Sequence, residues 1–124
     1  MDAQEKKIAR EMMVLSGEFS VCRPVFLAMG DENRQHILLT LLEHYGGMRV
    51  GEIASCTNLS RPAVSRHLKI LREARIVDMF QVGTMNFYHI GADENRWAEI
   101  AALVNHVNVL VKEAASQCSP NNVI

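Results

Sequence analysis

The stretch "NLSRPAVSRHLKILREARIV", Asn58–Val77, decides the fold. Ser60 is a good N-cap residue, and Pro62 falls in the first turn after it, where a missing N–H leaves no helical hydrogen bond unmade. Val64, Leu68 and Leu71 recur at i, i+4 and i+7, so they share one face and form a seam that buries itself while the polar residues face outward. The same stretch holds five of the chain's thirteen lysines and arginines, although the chain as a whole has a net charge of −1. Where cations sit therefore matters more than their sum.

Immediately upstream, "RVGEIASCT" (49–57) offers Val50, Ile53 and Ala54 on one side of a short helix, and Asn58, Leu59 and Ser60 leave room only for a tight turn. Two short helices joined by three residues make a helix-turn-helix. Immediately downstream the period changes from 3.6 to two. "IVDMFQV", then Gly83 and Thr84, then "MNFYHI" reads as a hairpin over about 76–90, a wing behind a recognition helix at about 61–74.

Further out, Asp31 caps "ENRQHILLTLLEHY", whose Ile37, Leu38, Leu41 and Leu42 form a wide apolar stripe ending at Gly46 and Gly47. At the N-terminus Ile8, Met12 and Leu15 share a face of a helix at about 4–16, which Gly17 is expected to end or kink. A second helical stretch from Ser20 to Met29 contains Pro24. Asp93 caps a last helix at about 93–116. Its Trp97, Ile100, Val104, Val107 and Val111 alternate spacings of three and four, with Leu103 and Leu110 widening the stripe. Such a helix is ~33 Å long and carries more apolar surface than a small domain can cover, so a partner helix is implied. The tail 118–124, with Pro and Asn, is expected to be disordered.

The length of 124 residues and an apolar fraction of 48% fit one packed domain over about 1–117, mainly α with one small β-hairpin. No uninterrupted run of eighteen apolar residues occurs and the N-terminus mixes acids with bases, so a cytoplasmic protein without a membrane segment is expected. Cys22, Cys56 and Cys118 are three and lack metal-knuckle spacing, which favours free thiols. No nucleophile, base and orienter are identifiable, no Gly-rich phosphate loop is present and the five histidines are dispersed, so neither an enzyme nor a cofactor is expected.

The order helix, helix-turn-helix, hairpin, long helix resembles the ArsR (ArsR/SmtB) family of winged helix-turn-helix transcriptional repressors. The resemblance runs from about Phe26 to Glu113 and is carried by "AMGDENRQHILLTLL", "VGEIASCTNLSRPAVSRHLKILREA" and "GTMNFYHI". It implies a homodimer joined through the first and last helices, with Ile8, Met12, Leu15, Trp97, Ile100, Val104, Val107 and Val111 at the interface. It also implies an inverted-repeat operator in double-stranded DNA that is released when a signal, conceivably a small molecule, is sensed.

A recognition helix presents its N-terminal residues to base edges in the major groove, here Arg61, Pro62, Ala63, Ser65 and Arg66. Arg66 is the expected guanine reader. Arg61 either reads or holds phosphate, Ser60 and Ser65 donate to phosphate or base, and Lys69 and Arg72 lie where the flanking backbone passes. His67 bridges the helix pair or touches phosphate. The wing departs from the family pattern: relatives carry several basic residues there, whereas this hairpin offers Gln81, Thr84 and Asn86 for neutral contacts, and an acid, Asp78. Arg75 stands where relatives often have glycine, which makes a left-handed cap there doubtful.

The family's metal sites are incomplete in this sequence. Arg49 and Gly51 occupy the two thiolate positions of the Cys-Val-Cys segment, and of the four positions on the last helix only Asp93 and His106 keep a ligand, Asn95 and Val109 having none. No metal site is expected. Three alternatives stay open: a redox pair of Cys22 and Cys118, a metal-responsive repressor of the same fold, and a winged helix whose basic face docks an acidic protein instead of DNA.

Overall fold

The computed structural model describes residues 1–90 and 94–118. Among them are α1 (Ala3–Met29), α2 (Glu32–Glu43), α3 (Val50–Thr57), α4 (Arg61–Glu73), β1 (Asp78–Val82), β2 (Met85–His89) and α5 (Glu94–Gln117). This order of helices and hairpin is the expected winged helix-turn-helix. The expected cap at Asp93 and most of the expected tail, 119–124, lie outside the described residues. The chain divides into two compact units, one of Met1–Cys22 with the segment from Ala98 onward, the other Arg23–Trp97.

Within Arg23–Trp97, α2 packs on α3 and α4, and both α2 and α3 pack on β2. The core they enclose includes Val25, Ile37, Leu41, Ile53, Val64, Leu68 and Leu71, each at most 1% exposed. The anticipated seam of α4 is therefore the centre of this unit. Asn58, the last residue before the turn into α4, has φ 57° and caps α3 in the left-handed conformation, which asparagine tolerates better than most residues.

The far end of α4 corrects the expectation at Arg75. Its φ is 63°, left-handed, and its N–H donates to the Arg72 carbonyl at 2.9 Å while that of Ile76 donates to the Leu71 carbonyl at 3.1 Å. This pair of bonds is the Schellman motif. It forms on arginine because the next two residues, Ile76 and Val77, are buried at 2% and 4% exposure and hold the chain's exit direction.

The hairpin pairs Asp78 with His89 through to Val82 with Met85, so Gly83 and Thr84 form a two-residue turn, with φ 63° at Gly83. Phe80 stacks on Phe87 with centroids 5.4 Å apart. Gly47, with φ 106°, lies against this pair, and a Cβ there would meet the Phe80 ring at 3.1 Å. Beside it Met48 exchanges two backbone hydrogen bonds with Tyr88, at 2.9 and 2.8 Å, adding a one-residue bridge to the hairpin. Sequence periodicity gives no sign of that bridge, because one residue has no period.

A second correction concerns α1. The two N-terminal stretches are one helix, continuous through Gly17 and Pro24. An interior glycine costs only ~1 kcal/mol, and proline's larger penalty of ~3 kcal/mol is met by flanking burial: Cys22, Val25 and Ala28 are each at most 1% exposed. Joined, α1 is long and apolar enough to cross a bilayer by length and composition alone, with mean hydropathy 1.3 in its best window. Glu18, however, sits in mid-helix and is 2.7 Å from His106 Nδ1 of α5, a polar pairing within the protein. Leu103 is the buried residue of α5 in this unit, at 1%, while Ile8, Met12, Val104 and Val111 are 45–59% exposed.

Leu68→Ala is expected to cost about 2–5 kcal/mol in denaturant unfolding, the range for truncating a filled core site.

Candidate nucleic-acid interface

Most of the exposed residues of α4 lie on one face, with Glu73 among them and Ile70 to one side. With Val64, Leu68 and Leu71 inward, Arg61, Pro62, Ser65, Arg66, Lys69 and Arg72 are exposed and Ala63 is half-exposed. The Ser60 hydroxyl accepts from the Ala63 N–H at 3.2 Å, so this serine holds the helix N-terminus as well as standing at its tip. The side chains of Arg66, Lys69 and Arg72 make no hydrogen bond or ion pair among the described residues, leaving three uncommitted cations along about two turns of helix.

Arg61 sits differently. Its guanidinium lies over Gly51 of α3, 2.9 Å from where a Cβ would be, and it faces a cleft of about 440 Å³ shared with Arg49, Ser55 and Asn86. Arg49 was singled out in the sequence only as a missing thiolate. In the structure its Nη1 reaches the Met85 sulfur at 3.2 Å, so a cation from the start of α3 stands beside a wing that has none on its own strands. Glu52 fixes it: the Glu52 Oε1 accepts from the Arg49 backbone N–H at 3.1 Å and from its Nε at 3.3 Å. Those bonds, the backbone one foremost, hold the Glu52 carboxyl below its ordinary value. No spacing rule finds Arg49, because its neighbour is 36 residues away.

His67 turns inward. Its Nδ1 is 3.4 Å from Arg34 Nη1 and 4.0 Å from Asp31 Oδ2, so it bridges α4 to the start of α2. Arg34 in turn donates from Nε to the Ala28 carbonyl at 2.7 Å, and Gln35 Nε2 donates to the Met29 carbonyl at 2.6 Å, satisfying the last carbonyls of α1. Asp31 caps α2 by accepting from the Arg34 N–H at 3.0 Å. That bond, with the Arg34 charge, keeps the Asp31 carboxyl below its ordinary value of 3.8.

At the other end of α4, Arg96 of α5 is 3% exposed and its Nε donates to the Ala74 carbonyl at 2.9 Å. A buried guanidinium thus meets the negative end of the recognition helix. It carries no sequence signal, since a lone arginine in a polar helix start reads as surface. The wing residues Gln81, Thr84 and Asn86 are exposed. Trp97, expected at a dimer seam, lines a second cavity beside Lys69 and Arg72. Cys22 is buried, Cys56 and Cys118 are exposed, and all three are free thiols. Among the described residues no three His, Cys, Asp or Glu side chains converge on a point that could hold a metal ion.

A basic, amphipathic second helix behind a tight turn, capped at both ends and followed by a two-stranded wing, defines a winged helix-turn-helix DNA-binding protein. Residues 31–79 match the model of the bacterial regulatory proteins of the arsR family. An uncharacterised helix-turn-helix-type transcriptional regulator of Methanocaldococcus jannaschii is 41% identical over 83 residues, 67% of this chain and 90% of that one. The transcriptional repressor SdpR of Bacillus subtilis is 38% identical over 66 residues, 53% of this chain and 71% of that one. A solved ArsR-like transcriptional regulator from Rhodococcus has the same fold, with a TM-score of 0.61 at 24% identity over 82% of this chain and 89% of that one. The chain belongs to the ArsR family and is a DNA-binding transcriptional regulator.

Because the folded-state pKa of Asp31 is depressed, its stabilising contribution is fully present above 3.8 and is lost as pH falls through the lower folded value. Asp31→Asn keeps a capping oxygen but removes the titration, so its unfolding free energy should fall less steeply than that of the parent on acidification below that pH. Denaturant melts at a series of acidic pH values check this.

Proposed function

We propose that this protein is a homodimeric repressor that reads an inverted repeat through α4 of each subunit and frees the operator when a signal is sensed. The observation that carries the reading is the set of uncommitted cations, Arg66, Lys69 and Arg72, on the face of α4 opposite its buried seam. Two such helices about one DNA turn apart, ~34 Å, meet successive major grooves. The exposed apolar residues Ile8, Met12, Val104 and Val111 of α1 and α5 supply the surface a second copy would cover.

The roles divide by geometry. Arg66 is the base reader, free to present its fork to guanine O6 and N7. Lys69 and Arg72 hold phosphate, with Ser60 and Ser65 as neutral donors and Gln81, Thr84 and Asn86 touching the backbone from the wing. Arg61 and Arg49, on either side of one cleft with Asn86, make a second phosphate contact between α3 and the wing. His67, committed to Arg34 and Asp31, orients α4 and does not itself contact DNA. A protein of this kind works in the cytoplasm, where its operator is.

Arg66→Ala is expected to weaken operator binding by about 1–3 kcal/mol and to relax selection at one base position, whereas Lys69→Ala weakens all sequences alike. Arg49→Ala should reduce the slope of log affinity against log salt by about one ion. Fragments selected from a random duplex library, followed by binding at two salt concentrations, test all three. A flat salt response would instead mean that the basic face docks a protein.

A further inference from the structure

The second cavity, of about 540 Å³, is walled by the C-terminal half of α4, the residues that enter β1, and the base of α5, all within the unit Arg23–Trp97. Its size falls among ligand pockets, which typically run about 300–1,000 Å³. Its floor is apolar: Trp97 and Tyr88 are half-buried and Ile76 is 2% exposed. The indole N–H and the phenol hydroxyl make no hydrogen bond among the described residues, yet neither is sealed from solvent without a partner. They are polar groups kept available at the edge of an aromatic surface. On the α4 side stand Lys69 and Arg72, exposed and without partners among the described residues.

DNA backbone is a poor fit for the whole of this cavity. Glu73 and Asp78 also line it and would repel a polyanion, and an aromatic surface offers nothing to a phosphodiester. A compact anion with a flat apolar body suits the cavity better: its single charge meets Lys69 and Arg72, and its body covers Trp97 and Tyr88. We propose that this cavity binds a small aromatic carboxylate or a similar organic anion, and that such a ligand releases DNA by direct competition. Lys69, Arg72 and Ser65 line the cavity and belong to the DNA-facing set, so ligand and phosphate cannot hold them together. The competition rests on the proposed DNA reading; the binding site does not.

Trp97 is the chain's only tryptophan and lines the cavity, so its fluorescence reports on binding there. The full-length protein without DNA is titrated with benzoate, with benzamide as its neutral counterpart, and with inorganic phosphate. Benzoate is expected to quench saturably and to bind about tenfold tighter than benzamide, the factor supplied by one charge-assisted hydrogen bond. In the double variant Lys69→Gln with Arg72→Gln that preference should vanish, and in Tyr88→Ala both organic probes should weaken together. No saturable response to benzoate, equal affinity for benzamide, or equal affinity for inorganic phosphate would overturn the site. Saturating benzoate is then added to the wild-type complex with library-selected duplex, where affinity is expected to fall about tenfold or more. Unchanged DNA affinity with benzoate bound would overturn the competition and leave the site. Failure of the library to yield any duplex would strike the DNA reading and leave the fluorescence result intact.

Discussion

Burial of Val64, Leu68 and Leu71 is the constraint from which the functional surface follows. Three apolar side chains on one stripe of α4, each at most 1% exposed, fix the rotation of that helix about its own axis. Once the rotation is fixed, the positions between them have no freedom: Ser65, Arg66, Lys69 and Arg72 must face solvent. A rotation that moved the cations inward would bury at least one unpaired guanidinium, which costs several kcal/mol and has no compensating partner in this core. Hydrophobic packing is thus what aims the cations of α4 outward.

Rotation alone does not hold a helix in place; its ends must be held too. At its start Ser60 satisfies one orphan N–H, and two turns on His67 reaches back to Arg34 and Asp31. Arg34 also carries the last carbonyls of α1, so the recognition helix and the C-terminus of α1 share one guanidinium. At its finish the Schellman bonds satisfy the Leu71 and Arg72 carbonyls, and buried Arg96 of α5 takes that of Ala74. The two elements that run out of this unit, α1 and α5, are each tied to α4 by an arginine.

What could be read from the sequence was whatever has a period or a local rule. The seam of α4, the three-residue turn, the cap at Ser60, the alternation of the hairpin and the Gly83 turn all lie within a few residues of their causes. The arginines that organise the unit were invisible for the opposite reason. Arg34 meets a residue 33 positions away and Arg96 one 22 away, and nothing local marks them. The two corrections have the same origin. Gly17 and Pro24 are local signals for a break, and Arg75 is a local signal against a left-handed cap. In each case neighbouring burial, of Cys22 and Val25 in α1 and of Ile76 and Val77 after α4, outweighs a penalty of only a few kcal/mol.

Arg49 and Gly51 join the two halves of this account. In the family pattern their positions carry the thiolates of a metal site, and the sequence alone records only that the thiolates are gone. The structure shows what Arg49 and Gly51 do. Gly51 has no side chain to displace the Arg61 guanidinium lying over it, and Arg49 is held by Glu52 with its guanidinium at the edge of a wing that has no cation of its own. Two positive charges thus gather where α3, the start of α4 and Asn86 of β2 meet around one cleft. Arg49 and Arg61 thus bring positive charge to the edge of a hairpin whose strands carry an acid, Asp78, and no lysine or arginine.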